Sequence, residues 1–128
     1  MINYLILISM IFCHIVDDYY LQGWLASAKQ RRWWEENNPD DLYKDDYIMA
    51  LIMHSFSWTY MVMIIPTIYC FIHETRDVCI IFLLFGINLT IHAIVDDLKA
   101  NQIMINLIQD QIIHIIQIIC TWIILIVI

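Results

Sequence analysis

Apolar and polar positions along the chain separate into four long apolar runs, at about residues 2–20, 47–72, 78–96 and 103–128, divided by polar connections. Roughly 20 apolar residues in a helix cross a hydrocarbon core, with a range of about 17–25, so each run predicts a spanning helix. The first is short and polar at its end. In lipid every backbone polar group must be paired internally, and the expectation is an all-α polytopic membrane protein. Four transmembrane helices would form one bundle, with residues 1–128 as a single domain.

The long polar connection, 23–46, divides in two. WLASAKQRRWW (24–34) is rich in Trp, Lys and Arg and predicts a short amphipathic helix lying in the membrane interface after the first span. EENNPDDLYKDD (35–46) reads as a solvated loop leading into the second span.

Composition supports the membrane class. Hydrophobic residues make up 62% and charged residues 15% of the 128, whereas a soluble domain has about 45–50% and about 25%. The net charge of −7 is concentrated, with six of the thirteen acids between Glu35 and Asp46. No extended basic patch is present, which argues against nucleic acid as a partner and leaves the lipid bilayer. Oligomer formation stays open.

The first run does not read as a cleaved leader, although Ala26-Ser27-Ala28 looks like a cleavage site. No Lys or Arg precedes Lys29, and Asp17 and Asp18 intervene. Basic residues then set the orientation. Lys29, Arg31, Arg32 and Lys44 lie in the first connection and Lys99 in the third, against Arg76 alone in the second. The positive-inside rule puts residues 23–46 and 97–102 in the cytoplasm and both termini across a bacterial inner membrane. Cys13, Cys70, Cys79 and Cys120 have no metal-ligand spacing and read as small buried hydrophobes. A Cys70–Cys79 disulfide across the second connection stays open.

That orientation brings chemistry to one level. His14 and Asp18 end the first span and His92 and Asp96 the third. His54 falls about two turns into the second, and Asp110 and His114 two to three turns into the fourth. At 1.5 Å per residue all lie within about 17 Å of the cytoplasmic boundary. HIVDD (14–18) and HAIVDD (92–97) also hint at a duplicated helical hairpin. Residues four apart share a helix face, so His14 with Asp18, His92 with Asp96 and Asp110 with His114 form converging pairs. Paired carboxylates and imidazoles projecting inward build dinuclear metal sites in helical bundles. Seven donors suit two divalent ions better than one, zinc first, with iron and manganese compatible. Interhelical hydrogen bonding and a proton or ion pathway are the alternatives. Asp17 and Asp97 are expected in the headgroup region or supporting the ligands, and His73 on the opposite surface. Gln22, Lys29 and Lys99 project from the cluster toward the cytoplasm, where they suit an anionic substrate or serve as snorkelling orientation signals.

HIVDDYYLQGWLASAK resembles the opening signature of the small bacterial and phage membrane proteins grouped as domain-of-unknown-function family 3307. The pattern His-x-x-x-Asp, Leu-Gln, then Lys matches His14, Asp18, Leu21-Gln22 and Lys29. Later motifs match His54, then His92-x-x-x-Asp96-x-x-Lys99, then Asp110-Gln111-x-x-His114. The resemblance covers nearly the whole chain apart from residues 30–46 and 66–80. It adds Gln111 to Gln22, Lys29 and Lys99 as a substrate-binding or supporting group. It also extends to membrane proteins regarded as metal-dependent hydrolases.

These readings give the expectation of a membrane-embedded metal-dependent hydrolase acting on a phosphoester lipid or nucleotide near the cytoplasmic face. An ion or proton transporter using the same cluster is the first alternative. A non-enzymatic phage-type module acting on a host membrane partner is the second.

Overall fold

The computed structural model describes residues 1–128 and contains helices and connections but no strand. Helix α1 spans Ile2–Val16 and continues as a π-helical turn, Asp17–Leu21. Two short helices follow, α2 (Leu25–Ala28) and α3 (Arg31–Asn37). The long helices are α4 (Asp46–His73), α5 (Val78–Ala100) and α6 (Leu107–Trp122), the last ending in a second π turn, Ile123–Val127. Four helical stretches, Ile2–Leu21, Asp41–His73, Val78–Ala100 and Leu107–Val127, are long and apolar enough to cross a membrane, and they fit an integral membrane protein. At 28 and 23 residues, α4 and α5 reach about 42 and 35 Å, beyond a core of about 30 Å.

Helix α1 packs on α4 and α6, and α5 on α4 and α6, closing a four-helix ring. Its interior holds Ile6, Met10, Trp58, Val62 and Ile118 in one buried cluster and Met63, Cys70, Ile81, Leu84 and Leu125 in another. Large apolar side chains on the outside, such as Phe12, Phe56, Phe82 and Ile116, stay exposed, as lipid-facing positions would be. The two termini sit at one end, where the Trp122 indole donates to the Asn3 carbonyl (2.8 Å) and Arg76 to the Ile124 carbonyl (3.0 Å). The connections 22–45 and 101–106 therefore share the opposite end.

Three local features differ from the sequence expectation. The interfacial helix is split, because Gln30 adopts an extended backbone (φ −96°, ψ 120°) between α2 and α3, and Glu35–Asn37 are helical rather than loop. Asn101 secures the break: it accepts from the Arg31 amide (2.7 Å) and donates to the Lys29 carbonyl (3.1 Å). Ala28 and Trp34 pack on Ala50 of α4, so the segment is fastened to the bundle. The fourth helix starts at Leu107 rather than near 103. Asn106 and Gln109 close a reciprocal capping box, while Ile103 sits at φ 55° in the preceding turn. The third span runs on to Ala100. All four cysteines are free; Cys13 and Cys70 are buried, whereas Cys79 and Cys120 are exposed, against the expectation for both.

Candidate metal centre

The connection-bearing end of the ring holds the residues that the motifs single out. His14, His54, His92 and His114 are each at most 1% exposed, as are Asp96 and Asp110, and the Asp18 side chain is 5% exposed. All seven meet, one or two from each helix.

His54 Nε2 lies 3.2 Å from His92 Nε2, 3.4 Å from Asp18 Oδ1 and 3.2 Å from Asp96 Oδ2. On the other side of the same carboxylate, Asp96 Oδ1 lies 3.6 Å from His114 Nε2, which is itself 3.3 Å from Asp110 Oδ1. Two three-residue groups have donors close enough to hold a cation: Asp18, His54 and His92, and His92, Asp96 and His114. Ligands about 2.0–2.1 Å from a tetrahedral zinc stand roughly 3.3 Å apart, close to the spacings around His54 Nε2. Several of the inward atoms, Asp18 Oδ1, Asp110 Oδ1 and His114 Nε2, are buried without a hydrogen-bond partner. Buried polar atoms are nearly always paired, so a bound cation would satisfy a requirement that the protein leaves unmet.

His14 is placed differently. The Trp58 indole donates to His14 Nδ1 (2.7 Å), which makes Nδ1 the acceptor and leaves Nε2–H to donate to Gln111 Oε1 (3.1 Å). Both ring nitrogens are thus engaged by the protein, and His14 belongs to neither group. Asp110 also stands outside both. Gln111 passes the arrangement on, donating to Asp18 Oδ2 (3.2 Å) and Asp110 Oδ2 (3.0 Å).

Two lysines enter from the mouth. Lys29, carried inward by the break between α2 and α3, donates to Asp96 Oδ2 at 2.5 Å with both side chains buried. Lys99 donates to Asp110 Oδ2 at 2.6 Å. Gln22 donates to the Asp18 carbonyl (2.6 Å) and, with Lys29, Lys99, Gln30 and Gln111, lines a cavity of about 360 Å³ that opens above Asp18.

Trp58 and Asn88 had no clear sequence signal, and the structure decides between the two places expected for Asp17. Asp17 is 1% exposed, accepts from Ser57 Oγ (2.6 Å) and faces His54 Nδ1 at 3.7 Å. A carboxylate behind an imidazole fixes its orientation for ligation, and Asp17 and Asp18 approach His54 from its two ring nitrogens. Trp58 stacks on His92 (4.2 Å, 20°), which stacks on His114 (4.2 Å, 28°). Asn88 donates to Thr121 Oγ1 (2.9 Å) and accepts from Gln117 Nε2 (2.9 Å), adding a polar layer beneath the histidines. His92 at i+4 on the same face was the available hint for Asn88. Asp97 holds Asn101 and Gln102 outside the cluster, and His73 is exposed at the other end.

Fold and site together define a class: an all-helical chain with four membrane-length helices and a buried His/Asp cluster at one end. No protein-family model, curated protein or solved structure matches the chain.

Proposed function

We propose that this chain is a membrane-embedded, metal-dependent hydrolase of a phosphoester, lipid or nucleotide, acting at the cytoplasmic face of a bacterial inner membrane. The observation that carries this reading is Asp96, whose two oxygens are divided between the His54–His92–Asp18 side and the His114–Asp110 side. Those residues would hold one or two divalent ions. Zinc suits the mixed imidazole and carboxylate donors, and iron or manganese is compatible with them.

Charge supports the number. Asp17, Asp18, Asp96 and Asp110 put four carboxylates in a space that two ammonium groups enter, Lys29 and Lys99. With neutral histidines, two negative charges remain, which one divalent ion balances. A second ion is balanced by an incoming dianion such as a phosphate monoester.

When bound, such ions polarise a phosphoryl oxygen and make water easier to ionise. The chain's own part is to bind and orient. Lys29 and Lys99 face the cavity with cations, and the Gln22 and Gln111 amides line the same space. Hydrolysis would put a water oxygen on phosphorus, break the ester P–O bond and place a proton on the departing alcohol.

Elemental analysis of the purified full chain tests the base of the reading. About one or more divalent ions per chain are expected. A content far below that, with no rise on adding zinc, overturns the proposal.

The Asn88–Gln117–Thr121 layer favours one other reading, an ion or proton transporter, because it carries polarity one step beyond the histidines. Against it, Met63, Cys70, Ile81, Leu84 and Leu125 form an apolar cluster further along the same bundle. Flux across liposomes that His92→Ala abolishes, with no phosphoester hydrolysis, would reverse the order.

A further inference from the structure

The polar cavity above Asp18 does not end in water alone. Tyr19, Leu107 and Gln111 line it, and the same three residues line an adjoining apolar groove along α6 beside the Asp17–Leu21 turn. That groove continues along Ile108, Ile112 and Ile116, which are 53–70% exposed. From Leu107 to Ile116 it follows about 14 Å of helix. Tyr19 and Tyr20 stand exposed beside the junction, and such aromatic side chains mark the headgroup level of a membrane.

We infer that the substrate is a phosphate-headed lipid reaching the site sideways from the bilayer. Its phosphate lies in the Lys29–Lys99 cavity and an acyl chain lies in the groove along α6. The inference rests on the hydrolase reading, since a cation held by His92, Asp96 and His114 would take over Asp96 and free the Lys29 ammonium for the phosphate, with Lys99 beside it on Asp110. Charge and shape then act together. A dianionic head meets two lysines and two amides, and a chain attached to it meets the apolar side chains of Leu107, Ile108, Ile112 and Ile116. A water-soluble phosphoester would use only the first half of that surface.

The test uses the full-length protein in phosphatidylcholine vesicles doped with a phosphatidic acid that carries a photoreactive acyl chain. A phosphatidylcholine with the same chain serves as control, and crosslinks are mapped by mass spectrometry. The phosphatidic acid probe is expected to label residues 107–116 and Tyr19 severalfold more than the control probe. Lys29→Gln/Lys99→Gln should lower that excess, and Ile112→Trp should move labelling out of the groove. Equal labelling by the two probes, or labelling spread evenly around the four helices, overturns the inference. Metal content measured on the same samples separates the two ideas. Metal present without the excess sinks the lipid inference alone, and the excess without metal sinks the metal-dependent reading alone.

Discussion

Lys29 and Asp96 meet at 2.5 Å in the buried end of the bundle although 67 residues separate them. The lysine arrives from outside the ring, on a segment bent at Gln30, and the aspartate comes from the third span. Removing one partner of a buried pair leaves the other charge uncompensated, at a cost of about 3–5 kcal/mol. Lys29→Met should therefore lower the thermal stability of the metal-free protein in detergent by about that amount. Adding Asp96→Leu should recover most of it. A Lys29→Met protein that melts like the wild type would show that this pair contributes little.

The engagement of His14 by Trp58 and Gln111 separates it from the other three histidines. His14→Ala should retain bound divalent metal, while His54→Ala and His92→Ala should lose most of it. Elemental analysis across the three variants decides the matter. Equal loss in all three would mean that His14 ligates in spite of its hydrogen bonds.

Trp58 holds His14 through its indole N–H. Trp58→Phe preserves a ring over His92 but leaves His14 Nδ1 unpaired, at a cost of about 1–3 kcal/mol. A thermal melt reads that cost, and a histidine-resolved NMR spectrum should show the His14 tautomer changing. An unaltered spectrum would count against the indole as the group that fixes the ring.

Asn101 fastens the break that turns Lys29 inward. Asn101→Ala removes three side-chain hydrogen bonds, to Lys29, Arg31 and Asp97. Hydrogen exchange should accelerate at residues 29–31 while the four long helices keep their protection. Unchanged exchange there would show that packing of Trp34 and Ala28 suffices.

Asn88 joins α5 to α6 through Thr121 and Gln117. Interhelical hydrogen bonds in membranes average about 0.6 kcal/mol and reach about 1.7. Asn88→Leu should lower stability by an amount in that range, with metal content unchanged. A loss of metal as well would tie this layer to the site above it.

The apolar runs made the spans legible, because run length and hydropathy depend on sequence alone. His14, His92, His114, Asp18, Asp96 and Asp110 were legible because i, i+4 spacing fixes a shared face, and His54 because its depth in the second span puts it at their level. Other features depended on three-dimensional partners. Asp17 fitted either the headgroup region or a place supporting the ligands, since an ordinary helix places neighbours about 100° apart, and only the Ser57 and His54 positions decide between the two. Trp58 read as one more apolar residue, since its indole gains meaning only opposite His14. The break at Gln30 lies in a stretch of favourable helix formers, and a side chain on another helix, Asn101, stabilises it. His14 matched the ligand pattern as well as His92 did, because spacing carries no information about which nitrogen is already bonded.

The π turn at Asp17–Leu21 is in effect an α-helix with one residue inserted. Deleting a residue within it would restore an even helix and improve the local backbone hydrogen bonding. It would also rotate everything downstream by about 100°, swinging Gln22 off the cavity wall and changing the path that delivers Lys29. The chain is thus built so that a locally better helix makes a worse protein. A single-residue deletion here should be tolerated by the fold and lost to the site.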